Sequence, residues 1–446
     1  MRYIFLSIII LFFSACSNKG LVSEKALGDM QEQIDDLVNI PQDSAYFAVN
    51  LQEKNISDLD TFIEKYFRPW NRDTISIDQH QATWAYVYDN NNTYSYTLQP
   101  IEKDFFPQLK ENSNMQEFGT LNQLGLSLGL LNLRALPSEK PVFLDPKKAG
   151  EGYPFDYLQN SSLAPNKPLM ISHYSKDKQW AFIECSFGFG WVKAAEIVAI
   201  DKQYTALWQQ AQQVFLLKDN VSIYDQEGSY LFDSRIGMML PLIDEDEQTY
   251  TVLTVSKTKD NKALYLQSKI SKEYAHKGIL PFNSENVVKV ISELQKGSYG
   301  WGGIYGQRDC SSTLRDLYIP FGFWLPRNSS VQAKMGRVEE LSTLSNQEKI
   351  DFINDNAIPF QTLLYRKGHI VLYVGKYKND AIVFQNVWGV KTRDKKGIEG
   401  RYLIAKPILS TLEVGKNLKE FDDNASTLTQ LKSMNTLFEN SSLDVE

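Results

Sequence analysis

One segment of the chain combines the residue types that nucleophilic catalysis needs. Four glycines, at positions 300, 302, 303 and 306, precede Cys310, and three hydroxyl-bearing residues follow it. The apolar residues beyond them have helical spacing and Pro320 limits that helix, so we predict that Cys310 lies in the first turn of a helix. A thiol there faces unpaired backbone N–H groups and the positive end of the helix dipole, which favour the reactive thiolate.

A cysteine nucleophile needs a base, and His369 is the best placed histidine in the sequence. It opens an apolar run typical of a buried strand, and a second apolar run covers residues 381–389. If the two runs pair as a hairpin centred on Tyr377, His369 faces Gln385 on the same side of the sheet. The Gln385 amide then accepts a bond from Nδ1–H, so that Nε2 addresses Cys310. Asn386 points to the other face and is the second choice as orienting residue.

Composition places the chain among large multidomain proteins. Its 446 residues are too many for one ordinary core, so roughly three or four domains are expected. A hydrophobic fraction of 43% argues against wholesale disorder, and a net charge of −7 gives no basic footprint for nucleic acid. No His, Cys and Asp residues cluster at ligand spacing, so we expect neither a metal nor a cofactor.

The N-terminus predicts export. After Met1 and Arg2 comes an apolar run of eleven residues, which as a helix spans about 16 Å, half of a bilayer core. Residues 1–16 therefore read as a signal peptide. The ending Phe-Ser-Ala-Cys resembles a bacterial lipobox, which implies lipid on Cys16, and Ser17 in place of Asp indicates the outer membrane, facing the periplasm. An ordinary cleaved signal with a chance cysteine is the alternative.

The rest of the chain divides into segments that differ in the length and spacing of their apolar runs. A helical stripe from Ile56 to Phe67 ends at Pro69, and residues 83–98 predict two strands. Short apolar runs at close spacing predict two small all-β barrels, with one larger sandwich over 125–268 as the alternative. The predicted units are a tether at 17–45, an α+β segment at 46–122, barrels at 123–200 and 203–270, a catalytic α+β domain at 275–420, and a polar, loosely packed tail at 421–446.

Four motifs in the last third resemble, in order and spacing, the NlpC-type cell-wall peptidase family. They are the Tyr-x-Trp-Gly-Gly…Asp-Cys-Ser block, the Leu-Pro-Arg segment with Ser329 and Ser330, the Gly-His-Ile-x-Leu-Tyr-Val-Gly strand and the Val-Phe-Gln-Asn strand. The Gly-Trp-Val-x-Ala ending of the first barrel is similar to the closing strand of bacterial SH3 domains. Together with the Phe-Arg-Pro-Trp segment at 67–70, this ending makes the chain look like a member of a subgroup of that family, in which an N-terminal segment and tandem SH3 modules precede the catalytic domain.

The resemblance implies a multidomain fold, with two SH3-like barrels before a papain-like α+β catalytic domain. It implies a peptidoglycan hydrolase that cleaves the γ-D-glutamyl–diamino acid (meso-diaminopimelate) bond of stem peptides. Carried over by position, Cys310 is the nucleophile, His369 the base and Gln385 the third polar residue. The family more often has His at that third place, and a neutral amide orients the imidazole without adding charge stabilisation.

The resemblance also implies roles around the reacting carbonyl. The Cys310 backbone N–H and the Tyr299 hydroxyl serve the oxyanion. Asp309 and Ser311 resemble positions that hold the free amine and backbone of the peptide, although Asp309 also fits a simple helix N-cap.

Further substrate contacts are expected from the catalytic domain and from the first barrel. Ser329 and Ser330 line the same cleft. A loop of the first barrel leans over it, where Asp156 and Tyr157 narrow the substrate to peptides with a free N-terminus.

Two other functions fit the same residues. The triad also suits an amidase or acyltransferase acting on another amide, since this fold hosts several acyl transfers. In the third alternative, the protein is a non-catalytic lipoprotein whose SH3 modules hold peptidoglycan.

Overall fold

The computed structural model describes residues 33–439, apart from 50, 52, 57 and 58. The predicted signal peptide with Cys16, and most of the tether, lie outside the described residues. Within the described ranges, no helix is both long and apolar enough to cross a membrane.

The N-terminal segment is helical. Its helices are α1 (Asp35–Asn39), α2 (Ala45–Ala48), α3 (Leu59–Tyr66), α4 (Gln79–Ala82) and α5 (Phe105–Asn112). The predicted helix before Pro69 is confirmed as α3, with Pro69 inside a following 3₁₀ turn. The α+β assignment is wrong where it expected two strands at 83–98. That stretch begins with a 3₁₀ turn directly after α4, and Tyr94 pairs with Phe143 of the first barrel, so a tertiary contact replaces the hairpin.

The first barrel region forms one open antiparallel sheet, and Cys185 is buried in its core. Its seven strands are β1 (Gln123–Ser127), β2 (Leu131–Arg134), β3 (Gln159–Leu163), β4 (Pro168–Tyr174), β5 (Trp180–Cys185), β6 (Gly188–Lys193) and β7 (Ile197–Ala199). They lie in the order β3-β2-β6-β5-β4-β1-β7.

The second barrel region follows helix α6 (Thr205–Gln209) and has its own core. Its strands are β8 (Gln213–Leu216), β9 (Ser222–Tyr224), β10 (Tyr230–Asp233), β11 (Met239–Glu245), β12 (Thr249–Lys257), β13 (Ala263–Ser271) and β14 (Ala275–Lys277). They make a two-stranded sheet, β10-β9, and a five-stranded sheet, β13-β12-β11-β8-β14. Separate sheets and cores exclude one sandwich over 125–268. The predicted boundary at 270 is too early, because β14 pairs with β8 and buries Ala275.

The C-terminal domain has five helices and a six-stranded sheet in the order β15-β20-β16-β17-β18-β19. The helices are α7 (Ser284–Leu294), α8 (Cys310–Tyr318), α9 (Ser329–Gln332), α10 (Asn346–Asn356) and α11 (Thr427–Gln430). The strands are β15 (Arg337–Glu340), β16 (Thr362–Arg366), β17 (His369–Tyr377), β18 (Asp380–Arg393), β19 (Glu399–Ser410) and β20 (Ser433–Thr436).

The expected loose tail at 421–446 is wrong over its described part. Strand β20 lies inside the sheet, between β15 and β16. Leu428, Leu431 and Met434 repeat at a spacing of three and are buried in the cluster beneath the sheet. Their burial outweighs the polar composition around them.

The N-terminal segment packs against α7 and β17 and joins the core that also holds the helix beginning at Cys310. Phe47 and Ala48 of α2 share a buried cluster with Leu314 and Leu317 of α8. The Ser284 hydroxyl, at the start of α7, also donates to the Ala48 carbonyl at 2.8 Å. The segment therefore supports the core on which the candidate site rests.

Candidate active site

Cys310 is the first residue of α8, as the sequence predicts. Asp309 is the N-cap: its carboxylate accepts from the Ser312 backbone N–H at 2.9 Å, and the Ser312 hydroxyl accepts from the Asp309 backbone N–H. This reciprocal pair is a capping box, which fixes the first turn of the helix. The Cys310 side chain consequently has one defined position at the end of α8.

The glycines before Cys310 are required by close contact with the first barrel. Gly302 and Gly303 have φ values of 57° and 80°, in the left-handed region. A Cβ at Gly302 would collide with the Gln159 carbonyl oxygen, and one at Gly303 would collide with Ser162. The Gln159 amide also donates to the Gly302 carbonyl at 3.0 Å. Strand β3 therefore holds the loop that leads into the cysteine.

Buried ion pairs attach α8 to the second barrel. Arg308 lies between Asp316 of α8, with Nε at 2.7 Å, and Asp219 of the second barrel, with Nη2 at 2.9 Å. Arg235, also from the second barrel, contacts Asp316 at 3.2 Å. Because removal of one partner would leave a buried charge, these contacts hold α8 rigidly.

His369 opens β17, the strand that packs against α8. The Ile370 backbone N–H, one residue after His369, donates to Cys310 Sγ. Extending the β17–β18 register by one residue from Leu372 opposite Phe384 sets Gln385 opposite Val371. The predicted direct opposition of His369 and Gln385 is therefore wrong.

Two features cause that difference in register. The turn is centred between residues 378 and 379, and a β-bulge lies between Tyr373 and Gly375. The predicted contact survives nevertheless, because His369 and Val371 share a face of the strand. His369 Nε2 lies 2.7 Å from Gln385 Oε1.

The assignment of the two imidazole nitrogens is reversed from the prediction. Gln385 Nε2 donates to the Ser410 hydroxyl oxygen, whose own hydrogen goes to the Thr411 carbonyl. This series of hydrogen bonds fixes the Gln385 amide with its oxygen towards His369. An amide oxygen only accepts, so Nε2 carries the proton and Nδ1 keeps the lone pair that a base needs.

Asn386 points to the other face of β18, as predicted. Its side-chain amide donates to the Arg308 carbonyl at 2.7 Å and to the Thr313 hydroxyl at 3.0 Å. It therefore ties β18 to the helix of the cysteine and does not orient the imidazole.

Burial dominates the protonation of the pair. It raises the pKa of the Cys310 thiol to about 11, and the Asp309 carboxylate acts in the same direction, against the Ile370 N–H bond and the Arg327 charge. Burial lowers the pKa of His369 to about 4, with help from the positive charge of Arg366. At neutral pH the resting pair is a thiol and a neutral imidazole. The expected preference for thiolate is not met, because desolvation outweighs the helix dipole here.

Tyr299 lies near the sulfur and keeps its proton. Burial raises the pKa of its hydroxyl well above the usual value, and the neighbouring Cys310 and Asp309 act in the same direction. The phenol is therefore a hydrogen-bond donor over the physiological range. Its ring packs against Trp388, with centroids 5.9 Å apart.

A cleft of about 500 Å³ opens beside His369 and Gln385. Aromatic side chains form one part of its wall: Phe155, Tyr157, Tyr299, Trp301 and Trp388. Cations are the other prominent group: Arg366, Lys367, Lys391 and Arg401.

Models of known domains match three parts of the sequence. An N-terminal NLPC_P60 stabilising domain matches residues 5–118, an SH3 domain of the SH3b1 type matches 141–193, and an SH3 domain of the SH3b2 type matches 201–247. A solved NlpC/P60 endopeptidase from Photobacterium damselae subsp. piscicida has the same fold, with a TM-score of 0.78 and 23% identity over 90% of this chain and 98% of that one. The chain has the domain organisation and fold of the NlpC/P60 family.

A second solved structure, an NlpC/P60 family protein from Bacillus cereus ATCC 10987, is 13% identical over 71% of this chain and 99% of that one, with a TM-score of 0.47. NlpC2 from Trichomonas vaginalis is 10% identical over 72% of this chain and 98% of that one, with a TM-score of 0.26. No curated protein sequence matches the chain. The domain matches confirm the two predicted SH3 modules. The second had been predicted only from its length and from its short apolar runs at close spacing.

Two acidic residues that were predicted to meet substrate have other partners within the protein. Asp309 is 7% exposed, and its carboxylate contacts Arg327 at 2.6 Å as well as capping α8. Asp156 is 1% exposed and pairs with Arg134 at 2.6 Å. Both carboxylates have arginine partners within the protein, which gives them positioning roles, and a substrate contact by either one stays a prediction.

The three serines that were predicted to contact substrate differ in their burial and in their hydrogen-bond partners. Ser311 is buried, and its hydroxyl meets Arg327 Nη1 at 2.8 Å. Ser329 opens α9 and is half-buried, whereas Ser330 is exposed and its hydroxyl donates to Asn328. None of the three lines the cleft beside His369.

Tyr157 lies where the sequence predicted, in the wall of the cleft. The barrel loop that carries it also contacts the glycine-rich segment, since the Trp301 indole N–H donates to the Asp156 carbonyl at 3.0 Å. Sequence reasoning missed Arg366 and Trp388. An arginine three residues before the histidine was a visible signal for the first, whereas the position of Trp388 depends on packing that no local pattern shows.

Proposed function

We propose that the protein is a peptidoglycan hydrolase, a cysteine endopeptidase that cleaves the γ-D-glutamyl–meso-diaminopimelate bond of stem peptides. One observation carries the proposal. Cys310 Sγ, at the start of α8, is bonded by the backbone N–H that follows His369, and Gln385 holds that histidine through Nε2. His369 and Gln385 thus line a cleft with aromatic and cationic side chains, and the helix that begins at Cys310 packs against the strand that begins at His369.

Acylation begins from the neutral pair. His369 Nδ1 takes the thiol proton while Cys310 Sγ attacks the γ-glutamyl carbonyl carbon. The negative charge that develops on the oxygen is held by the Cys310 backbone N–H and the Tyr299 hydroxyl. Nδ1 then gives the proton to the amine of the diamino acid, the C–N bond breaks, and the glutamyl group remains as a thioester.

Deacylation repeats these roles with water. His369 Nδ1 takes a proton from a water molecule whose oxygen attacks the thioester carbonyl. The C–S bond breaks, the γ-carboxyl group of glutamate leaves, and the sulfur recovers its proton from Nδ1. Gln385 keeps the imidazole in the tautomer with its proton on Nε2 throughout.

Other parts of the chain fit work at the cell wall. The SH3b1 and SH3b2 matches favour peptidoglycan as the partner. The first sixteen residues favour lipidation of Cys16 and attachment to the outer membrane, facing the periplasm. Fusion of residues 1–30 to a reporter domain, followed by globomycin treatment and membrane fractionation, tests this part: an unlipidated, freely soluble reporter would contradict it.

The protein from Ser17 onward should be incubated with defined muropeptides and its products weighed. Cleavage as proposed releases a fragment ending in D-Glu and a peptide beginning with the diamino acid. An amidase would release the whole stem peptide from the sugar, and an acyltransferase would join the acyl group to an added amine. A protein that sediments with cell walls but changes no mass would be the non-catalytic binder.

Two cysteine variants form a matched pair for that assay. Cys310→Ala should abolish product formation, with a residual rate at least about 10⁴-fold lower. Cys185→Ala removes the buried thiol of the first barrel, so it should keep the activity and lose only some stability. Equal activity in Cys310→Ala would contradict the proposed mechanism.

A further inference from the structure

Two N–H donors in the wall of the cleft are buried and have no hydrogen-bond partner among the described residues. They are Arg366 Nε and Trp388 Nε1. A buried donor left without a partner costs about 1–3 kcal/mol, so native proteins seldom keep one without a reason. Both groups can only donate, and the ligand that completes them must therefore offer acceptor oxygens.

Arg366 also differs from two other arginines around the site. Arg308 and Arg327 each contact a carboxylate, at 2.7 Å and 2.6 Å. Arg366 forms no ion pair within the described chain, and its Nη1 donates to the neutral Gln430 amide at 3.0 Å. Its Nε is buried in the cleft wall and its guanidinium has no carboxylate partner there, which makes an anionic group the favoured ligand.

The position of Arg366 indicates which side of the scissile bond it serves. It lies directly opposite His369 in the β16–β17 pairing. In the proposed reaction His369 gives its proton to the departing amine, so the leaving group lies on the imidazole side of Cys310. Arg366 is on that side.

We propose that Arg366 binds the side-chain carboxylate of the diamino acid in the leaving group, while the Trp388 N–H donates to another oxygen of the same ligand. This inference rests on the proposed function and adds a residue that determines specificity. The enzyme then distinguishes meso-diaminopimelate, which has a carboxylate at the end of its side chain, from lysine, which has none. The Lys367, Lys391 and Arg401 side chains add positive charge to the same cleft.

The test compares two peptides that differ only at this group: L-Ala-γ-D-Glu-meso-diaminopimelate and its side-chain carboxamide. We expect kcat/KM of the wild type to be roughly 10- to 100-fold lower for the amide. Arg366→Gln should lower kcat/KM for the carboxylate peptide to that level, so that the ratio approaches one. Lys376→Gln, which removes an exposed charge near the far end of β17 and outside the cleft, should keep the wild-type ratio. Trp388→Phe should slow both peptides equally.

A wild-type ratio near one, or an unchanged ratio in Arg366→Gln, would overturn the carboxylate subsite and leave the proposed function standing. Hydrolysis of neither peptide by the wild type would overturn both. If Arg366→Gln fails to fold, calorimetric titration of Cys310→Ala with the two uncleaved peptides decides the question with Arg366 in place. Tighter binding of the carboxylate peptide supports the subsite, and equal binding contradicts it.

Discussion

The Gln385 side-chain oxygen lies 2.7 Å from His369 Nε2 and thereby determines which imidazole nitrogen can act as the base. The Ser410 hydroxyl fixes the amide by accepting from Gln385 Nε2. Nδ1 is left with the lone pair, so the choice of nitrogen that acts as the base depends on a series of neutral hydrogen bonds.

Substitutions of Gln385 and Ser410, which form this series of hydrogen bonds, should lower activity in a defined order. Gln385→Ala removes the acceptor, and we expect kcat to fall about 10- to 100-fold because the ring is free to rotate or change tautomer. Ser410→Ala leaves the acceptor but frees the amide to flip, so a loss of less than about tenfold is expected. Steady-state rates on one muropeptide measure both. A larger loss in Ser410→Ala than in Gln385→Ala would contradict the assigned order.

The resting pair should titrate as two neutral groups. With the pKa of Cys310 raised to about 11, the thiol is protonated at neutral pH, and its alkylation by iodoacetamide should be slow at pH 7 and rise with pH towards 11. Peptide mapping by mass follows the modified residue. A rate that is constant from about pH 5 to 8 would show a thiolate–imidazolium pair instead.

Arg366 should contribute, after burial, to the position of the acid limb of the pH profile. His369 is neutral above its lowered pKa of about 4 and becomes a protonated, inactive base as the pH falls through that value. Removing the neighbouring positive charge in Arg366→Gln favours protonation, so the acid limb of kcat/KM should move to higher pH, towards 6.5. Lys376→Gln, at an exposed position of β17 outside the cleft, serves as the control. A limb that stays in place would show that burial alone sets the pKa.

The buried pair between Arg327 and Asp309 should be structural. Arg327→Met leaves the Asp309 carboxylate enclosed without its cation, and we expect the free energy of unfolding to fall by about 3–5 kcal/mol. Urea unfolding at pH 7 measures the loss. The double variant Arg327→Met, Asp309→Asn should recover part of it, because no charge is then left unpaired. Full additivity of the two substitutions would argue against a direct interaction.

The contact between the glycine-rich loop and the first barrel separates two effects of substitution. Gly302→Ala introduces a strained left-handed residue and also a collision with the Gln159 carbonyl. Gly278→Ala has a similar positive φ of 73° but open space around the new methyl group. The control should lose about 1–2 kcal/mol from backbone strain, whereas Gly302→Ala should lose more and should also lower kcat. Equal losses would mean that the contact with β3 is unimportant.

Residue patterns near Cys310 and His369 were sufficient to predict the elements that carry them, since helical spacing and a buried-strand run are local signals. The β17–β18 register was not predictable in the same way, because one bulged residue shifts it and no side-chain pattern reveals the bulge. The roles of Asp309 and Asp156 depend on Arg327 and Arg134, which approach only in the folded chain. Strand β20 was missed because its few apolar residues stand within a polar stretch.

The central claim is that Cys310 carries the acyl group during turnover, and trapping that group tests it most directly. The wild type should be mixed with L-Ala-γ-D-Glu-meso-diaminopimelate, quenched in acid within milliseconds to seconds, and digested for peptide mapping by mass. We expect an L-Ala-γ-D-Glu adduct on the peptide that contains Cys310, and its absence when Cys310→Ala is treated in the same way. An adduct on another residue, or full hydrolysis by the Cys310→Ala protein, would contradict it.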